Sequence, residues 1–430
     1  MLPVPLLNSI LTLNIGYEQR KSDRNHLTFE EGAPVRPCMP KHVLLVRGGA
    51  LGRNTGIGGA HHNLVSSLQN GDVRGWMTQE PCEYPLRKRR NPLSRIYKRW
   101  FSHPKRVEKI LKKKHSFSAI HITDQEQAHL IPQETSVPVV VTVHDLFHLY
   151  PEQIHLAGET IDVGEQKPGW FRRKDLEKLR QGLARADLLV CDSQATLSAC
   201  QKHYPQVKAV CVPLGLDFKK FVPREQNEVE LIGPASKLSK GCHLLIVGSH
   251  APRKRLNFIS RIVGELDEDI KQDIHIHHVG NNLCPYGGPS ASSYAESSNV
   301  QNWVSHGGDV SSEALMQLRF ASEALLFPSA SEGFGYPPLE SMACGTPVLC
   351  SDLPSHNELM PDQTCIRADD IEAWKEAILS VHSNWKRRTK NDTNHVWPNP
   401  RTGLIEFASR FDQKRYCQRM AEVYDSLVSD

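Results

Sequence analysis

From Lys41 onward, short apolar runs alternate with amphipathic or polar stretches, the pattern of parallel strands joined by helices. Runs at 43–46, 119–122, 139–143, 188–191 and 209–212 predict one sheet, and runs at 244–247, 274–279, 324–327 and 347–350 predict a second. Between the two series, the stretch 214–241 is polar and punctuated by proline and glycine, so it reads as a linker. The organisation expected is therefore a poorly defined extension at 1–40, a first α/β domain at 41–220, a linker at 221–241, a second α/β domain at 242–405 and a C-terminal helix at 406–430. Tyr416, Met420, Val423 and Leu427 follow at spacings of four, three and four, an apolar stripe that predicts a helix packing back across the junction. The polar segment 383–401 predicts a surface loop, and no internal repeat is found.

Composition changes this picture little. At 430 residues, 39% hydrophobic and 23% charged, the chain has enough apolar residues for two cores. A net charge of +4 is too small to imply a general affinity for nucleic acid. The 11 cysteines contain no CxxC pair, which argues against a disulfide framework and a zinc site and points to a reducing cytoplasm. The apolar patch at 2–15 is broken by Pro3, Pro5 and Asn8 and has no cationic start, so neither a signal peptide nor a membrane span is expected there. Met39 stands just before the first strand, and translation is expected to begin at it, leaving the extension dispensable.

Candidate chemistry is concentrated in "SEGFGYPPLESMACGTPVL" at 331–349. The apolar run before it is a buried strand, stopped by Pro328 and Ser329. In the loop Gly333, Phe334 and Gly335, the glycines leave room for backbone to approach a ligand, and Pro337 and Pro338 suit a first helical turn that needs no amide donor. Gly345 ends the helix. Its N-terminal amides then face the carboxyl edge of a parallel sheet, where anions bind in open α/β folds. Glu332 lies before the helix and Glu340 one turn inside it, so two carboxylates address different parts of one extended ligand.

With this motif the chain resembles the retaining GT-B glycosyltransferases of family 4 (glycosyl transferases group 1), whose mark is two glutamates separated by seven residues. The resemblance covers 41–427 and implies an α/β fold of two Rossmann-like domains facing across a cleft, with the C-terminal helix crossing back to the first. It implies that Glu332 contacts the donor sugar and that Glu340 holds the ribose hydroxyls. The family has a lysine six residues after the glycine that ends the second domain's first strand, and Lys254 matches it in "VGSHAPRKR". Ser249 stands where many members have arginine, and Arg253 is the expected substitute. Fixed cations here meet the diphosphate charge that grows as the glycosidic bond breaks.

In the first domain, "GRNTGIGGAHH" supplies Gly56, Gly58 and Gly59, expected to let backbone close over the donor phosphates. A dinucleotide fingerprint fails there, because His61 occupies the place of its third glycine. His144 and Asp145 end a strand at the cleft edge. The family often has a histidine near the reacting sugar there, so His144 is expected to donate to a sugar hydroxyl or the departing phosphate, with Asp145 orienting it or forming a turn. His148 makes an H-x3-H pair with His144 on no expected helix, so no metal site is expected. The run "IHIHH" reads as a strand with alternating exposed histidines, and Ser193 is a further cleft candidate. The segment from Arg87 to Lys114 carries thirteen Lys and Arg against Glu108, interleaved with Leu93, Ile96, Tyr97, Trp100 and Phe101. An amphipathic helix against an anionic membrane surface and a solvated basic helix fit it equally.

The resemblance implies metal-independent transfer of a hexosyl group, of mannose or glucose type, from a nucleoside-diphosphate sugar to a saccharide or lipid-linked acceptor. The "PRK" loop occurs in relatives that build cell-surface polysaccharides, and the expected location is cytoplasmic or peripheral on the membrane's cytoplasmic face. No carboxylate is assignable as a nucleophile, so a front-face reaction is expected, in which the departing phosphate takes the acceptor's proton. The alternatives are a sugar-nucleotide epimerase or hydrolase of the same fold and an inactive membrane-associated partner subunit; intact Glu332, Glu340 and Lys254 argue against the latter.

Overall fold

The computed structural model describes residues 39–52, 55–85, 92–113 and 116–428. The extension as far as residue 38, and Arg87, Lys88, Arg89, Arg90 and Lys114 of the basic segment, lie outside the described residues.

Each half of the chain is built on a parallel sheet. The first contains β1 (Lys41–Gly49), β2 (Trp76–Met77), β3 (Cys82–Tyr84), β4 (Phe117–Ile122) and β5 (Val139–Val143). An antiparallel hairpin follows, β6 (Glu152–Leu156) with β7 (Glu159–Val163), and then β8 (Leu188–Cys191) and β9 (Lys208–Cys211) complete the sheet in the order β2-β1-β4-β5-β8-β9, with β3 also on β1. Runs such as VVVTV in β5 and LLVC in β8 are buried throughout, as strands covered by helices on both faces must be. The second sheet contains β10 (Cys242–Val247), β11 (Ile274–Val279), β12 (Trp303–Ser305), β13 (Ala324–Phe327) and β14 (Val348–Cys350), in the order β12-β11-β10-β13-β14. The order reverses at β10, and the carboxyl edge of an open α/β sheet at such a switch point is where ligands bind.

Three expectations need correction. The segment 383–401 is not a surface loop: helix Ile371–Arg388 runs into it with Trp385 buried, and His395 and Trp397 beyond are buried too. The histidines of β11 are not alternately exposed. His277 and His278 are both buried because a polar ladder receives them: His277 Nε2 meets His243 Nδ1 at 2.8 Å, His277 Nδ1 meets His306 Nε2 at 3.0 Å, and His278 Nε2 donates to the Gly248 carbonyl at 2.9 Å. The basic segment is not one helix. It is helix Pro92–Tyr97, a wider π turn over Lys98–Ser102 and helix His103–Lys113. Arg99 and Trp100 of the π turn are tied to Asp175 of helix Trp170–Leu183, at 2.7 and 2.9 Å.

The C-terminal stripe forms helix Gln413–Val428, which packs against the first domain. Tyr424 and Thr142 hold His121 of β4 between them, at 2.7 Å each, and Trp76 Nε1 donates to Asp425 at 3.0 Å. Burial lowers the pKa of His121 to about 3, of His243 to about 2 and of His277 to about 3. The unfolded chain takes up protons on these histidines below pH 6.5 while the folded chain does not, so stability is complete above that pH and falls as pH drops toward 3. Each group contributes about 1.4 kcal/mol per pH unit in that window. Thermal melts followed by circular dichroism should show a steady Tm between about pH 7 and 8 and a progressive loss below about pH 6.5; a flat Tm down to about pH 5 contradicts the buried neutral ladder.

Candidate active site

The second domain supplies the charged half of the site. After β10, the short turn Pro252–Lys254 carries Arg253 and Lys254 beneath the end of β13, and the backbone is pinned there by Ala330 N donating to the Arg253 carbonyl at 2.7 Å. Arg255 follows in the left-handed region, φ 53°, its buried guanidinium donating to the carbonyls of Pro328 and Ala368. Two loops are thereby clamped together, and Glu332 falls between the cations: Arg253 Nη1 lies 2.8 Å from one carboxylate oxygen and Lys254 Nζ 2.6 Å from the other. Burial alone would raise the pKa of Glu332, but Arg253 and Lys254 override it and hold the carboxyl at about 2. Burial also lowers the Lys254 pKa, against the pull of Glu332. Removing both cations would leave a buried carboxylate unpaired, a loss of about 3–5 kcal/mol.

Helix Tyr336–Ala343 starts from Gly335, whose φ of 118° no other residue adopts without strain, and carries Pro337 and Pro338 in its first turn. Glu340 projects from it and pairs with Arg319, a residue of helix Ser312–Ala321 that is only 2% exposed. Arg319 escapes sequence reading except as a lone arginine among apolar neighbours in "ALMQLRFA". Phe334 turns its side chain away from the open cleft. It is buried, edge-on to Tyr336 and Phe411, in the apolar cluster where the two domains and the C-terminal helix meet.

The first domain meets this half through backbone. A side chain at Gly333 would place its Cβ 1.8 Å from the His144 carbonyl oxygen, so glycine is demanded here by the opposite domain. Ser193 caps helix Gln194–His203, accepting from the Thr196 amide at 3.0 Å, and donates across the cleft to the Gly333 carbonyl at 2.6 Å. Glu358 of the second domain accepts from the Gln194 and Ala195 amides at 2.7 and 3.0 Å, a helix-terminal carboxylate supplied from the other side.

His144 faces its own domain rather than the open cleft. Its Nε2 donates to the Thr123 carbonyl at 3.3 Å, and its Nδ1 lies 3.1 Å from Asp192. Burial would lower the His144 pKa, but the hydrogen bond and charge of Asp192 raise it. Asp192 itself is raised to about 6 by burial against the pull of His144. Sequence reading missed Asp192, whose signal is its place just past a buried strand and before Ser193. Asp145 forms a turn, accepting from the Phe147 amide at 3.2 Å. Gly58 serves its own loop: a Cβ there would lie 2.1 Å from the Gly52 carbonyl oxygen, and its amide donates to Thr55, the cap of helix Gly56–Gln69. Gly59 donates to the Thr55 carbonyl in the same turn.

Two family models match the chain, "Glycosyltransferase Family 4" over 72–220 and "Glycosyl transferases group 1" over 234–395. The O-antigen chain mannosyltransferase RfbU of Salmonella typhimurium is 39% identical over 74 residues, 17% of this chain and 21% of the relative. O-antigen chain mannosyltransferase B of Escherichia coli is 26% identical over 215 residues, 48% of this chain and 55% of the relative. The chain thus spans between a fifth and about half the length of these two curated relatives. Among solved structures, the sucrose-phosphate synthase of Thermosynechococcus elongatus matches with a TM-score of 0.62 at 18% identity, over 90% of this chain and 99% of that one. Anabaena HepE, solved in complex with UDP and glucose, matches with a TM-score of 0.60 at 15% identity, over 90% and 100%. Two matched halves, each on its own parallel sheet and joined across a cleft, place this chain in glycosyltransferase family 4 with the GT-B fold.

Proposed function

We propose that the chain is a retaining glycosyltransferase that moves a hexosyl group, of mannose or glucose type, from a nucleoside-diphosphate sugar to an acceptor hydroxyl in the synthesis of cell-surface polysaccharide or glycolipid. The observation that carries this reading is the buried Arg253–Lys254–Glu332 group set beside the helix that presents Glu340. The names of the two bacterial mannosyltransferases favour a mannosyl donor.

In this reading the diphosphate lies against Lys254, Arg253 and the first amides of helix Tyr336–Ala343, and no metal is required. Glu332, ionised at any working pH, accepts from donor-sugar hydroxyls, and Glu340 accepts from the ribose hydroxyls while Arg319 fixes its position. The bond from the anomeric carbon to phosphate oxygen breaks, the acceptor oxygen bonds to the same face, and the acceptor's proton passes to the departing phosphate. Fixed cations stabilise that leaving group more as its charge grows. His144 seats Gly333 through its carbonyl. Its long bond to Thr123 makes Nε2–H the ring donor that can turn toward a sugar hydroxyl, with Nδ1 held by Asp192.

The basic face of the first domain is proposed to rest on the cytoplasmic side of an anionic membrane that holds a lipid-linked acceptor. Tyr97, Phe101, Trp170 and Phe171 are each at least half exposed, beside Arg95, Lys105, Lys109 and Lys112. Among the described residues no helix is long and apolar enough to cross a membrane.

Three measurements test these readings. In scanning fluorimetry with EDTA present, one member of a GDP-, UDP- and ADP-sugar panel should raise Tm, by about 2.7 kcal/mol of added stability at a hundred times Kd, and Glu340→Ala should abolish the shift with the fold intact. Lys254→Ala should lower kcat about 100-fold or more in a transfer assay with the donor so identified. Co-sedimentation with vesicles containing phosphatidylglycerol should be strong at low salt and weak above about 0.5 M, and absence of low-salt binding removes the membrane from the reading.

A further inference from the structure

The hairpin β6–β7 was not legible in the sequence and is not accounted for by the site described above. It leaves the first domain after β5, and its tip reaches the second. The turn is made by Ala157, φ 50°, and Gly158, φ 76°, the mirror-image two-residue turn that suits the twist of a hairpin. Asparagine or glycine is the usual first residue of such a turn, and alanine is disfavoured at positive φ. The alanine methyl has a use here: it packs against the second domain's core cluster, which contains Phe258 and Trp374. A strained residue kept in place by a contact with the other domain points to a docking role.

Glu159, at the start of β7, makes the polar part of that docking. It accepts from Asn257 Nδ2 at 3.1 Å and pairs with Arg261. Asn257 and Arg261 lie four residues apart on one face of helix Leu256–Gly264, which begins two residues after Lys254. At the other end of the hairpin, Gly164 fits so closely under Phe147 that a Cβ would lie 2.0 Å from its carbonyl oxygen. The Phe147 ring in turn lies 5.2 Å from the Arg253 guanidinium. The first domain thus holds the Arg253–Lys254 turn from two sides, through the helix that follows it and through the arginine itself.

We infer that Glu159 is a positioning residue and that the hairpin is a latch: docked, it sets Arg253 and Lys254 in place for the diphosphate, and undocked, it lets the domains part for donor exchange. This rests on the reading that those two cations hold the diphosphate. The linker and the C-terminal helix join the domains permanently and the Ser193 and Glu358 hydrogen bonds join them at the cleft, whereas among the described residues the hairpin joins them through the Glu159–Arg261 ion pair, the Asn257 hydrogen bond and the Ala157 methyl contact, a set that separates without unfolding either sheet.

The test is a charge swap in the full chain: Glu159→Arg, Arg261→Glu and the two combined, with Glu159→Gln as a variant that keeps the Asn257 hydrogen bond and the fold. Small-angle scattering of the ligand-free proteins reads the docking, and calorimetric titration with UDP, GDP and ADP reads the positioning. Each single swap should enlarge the radius of gyration and weaken binding of the preferred nucleoside diphosphate about tenfold, the combined swap should restore both, and Glu159→Gln should fall between. Restoration separates a positioning pair from residues that matter only for folding. Single swaps that leave the radius unchanged, or a combined swap no better than the worse single one, overturn the latch. If the unmodified protein binds none of the three nucleotides, the proposed function fails, while the scattering result still decides whether the hairpin docks.

Discussion

The carboxylate of Glu332 cannot be buried alone. Its side chain is 8% exposed, and only the simultaneous approach of Arg253 and Lys254 makes that burial tolerable. Those cations come from the loop after β10 and the carboxylate from the loop after β13, so one electrostatic requirement fixes two loops at the point where the strand order reverses. Arg255 reinforces the same junction from beneath through Nη1, which donates to the Pro328 and Ala368 carbonyls. The site is therefore organised before any ligand arrives, which is the condition for cations to favour a developing charge without reorganising.

Across the cleft the constraint is steric. The two carboxyl edges meet at Gly333 and His144 through main chain, and the first domain donates to the second, from the Ser193 hydroxyl to the Gly333 carbonyl and from the Gln194 and Ala195 amides to Glu358. Neither domain places a large side chain in this contact, so it tolerates no added atom at 333 and little lateral shift. Phe334, next in the chain, turns inward to the apolar cluster shared with Phe411 and thereby holds the buried glycine against the opposite domain.

Residues whose type is dictated by local geometry were legible in the sequence. Gly335 with its positive φ, the prolines of the following first turn, Gly345 at the helix end and the fully apolar strands all announce themselves, because few other residues satisfy those backbones. Residues set by long-range partners were not. Nothing near Asp192 in sequence says that His144 will meet it, and Arg319 gives no sign of Glu340. The histidines of β11 were misread because alternation assumes a wet face, whereas His243 and His306 supply partners that let the strand be buried. Gly333 was read as a place for a ligand to approach, and in the structure its close neighbour is the other domain's backbone. The hairpin escaped notice because its strands are short and largely polar, and the contacts at its tip come from the second domain.

The helix Gln413–Val428 has a bearing on how the molecule is made. It supplies Tyr424 to His121 and Asp425 to Trp76, partners that lie some 300 residues earlier in the chain. During synthesis those first-domain groups emerge from the ribosome long before the residues that cover them, so one flank of the first sheet stays wet and unfinished while the whole second domain is translated. The flank of the first domain at Trp76 and His121 is thus covered only by a segment made after the second domain.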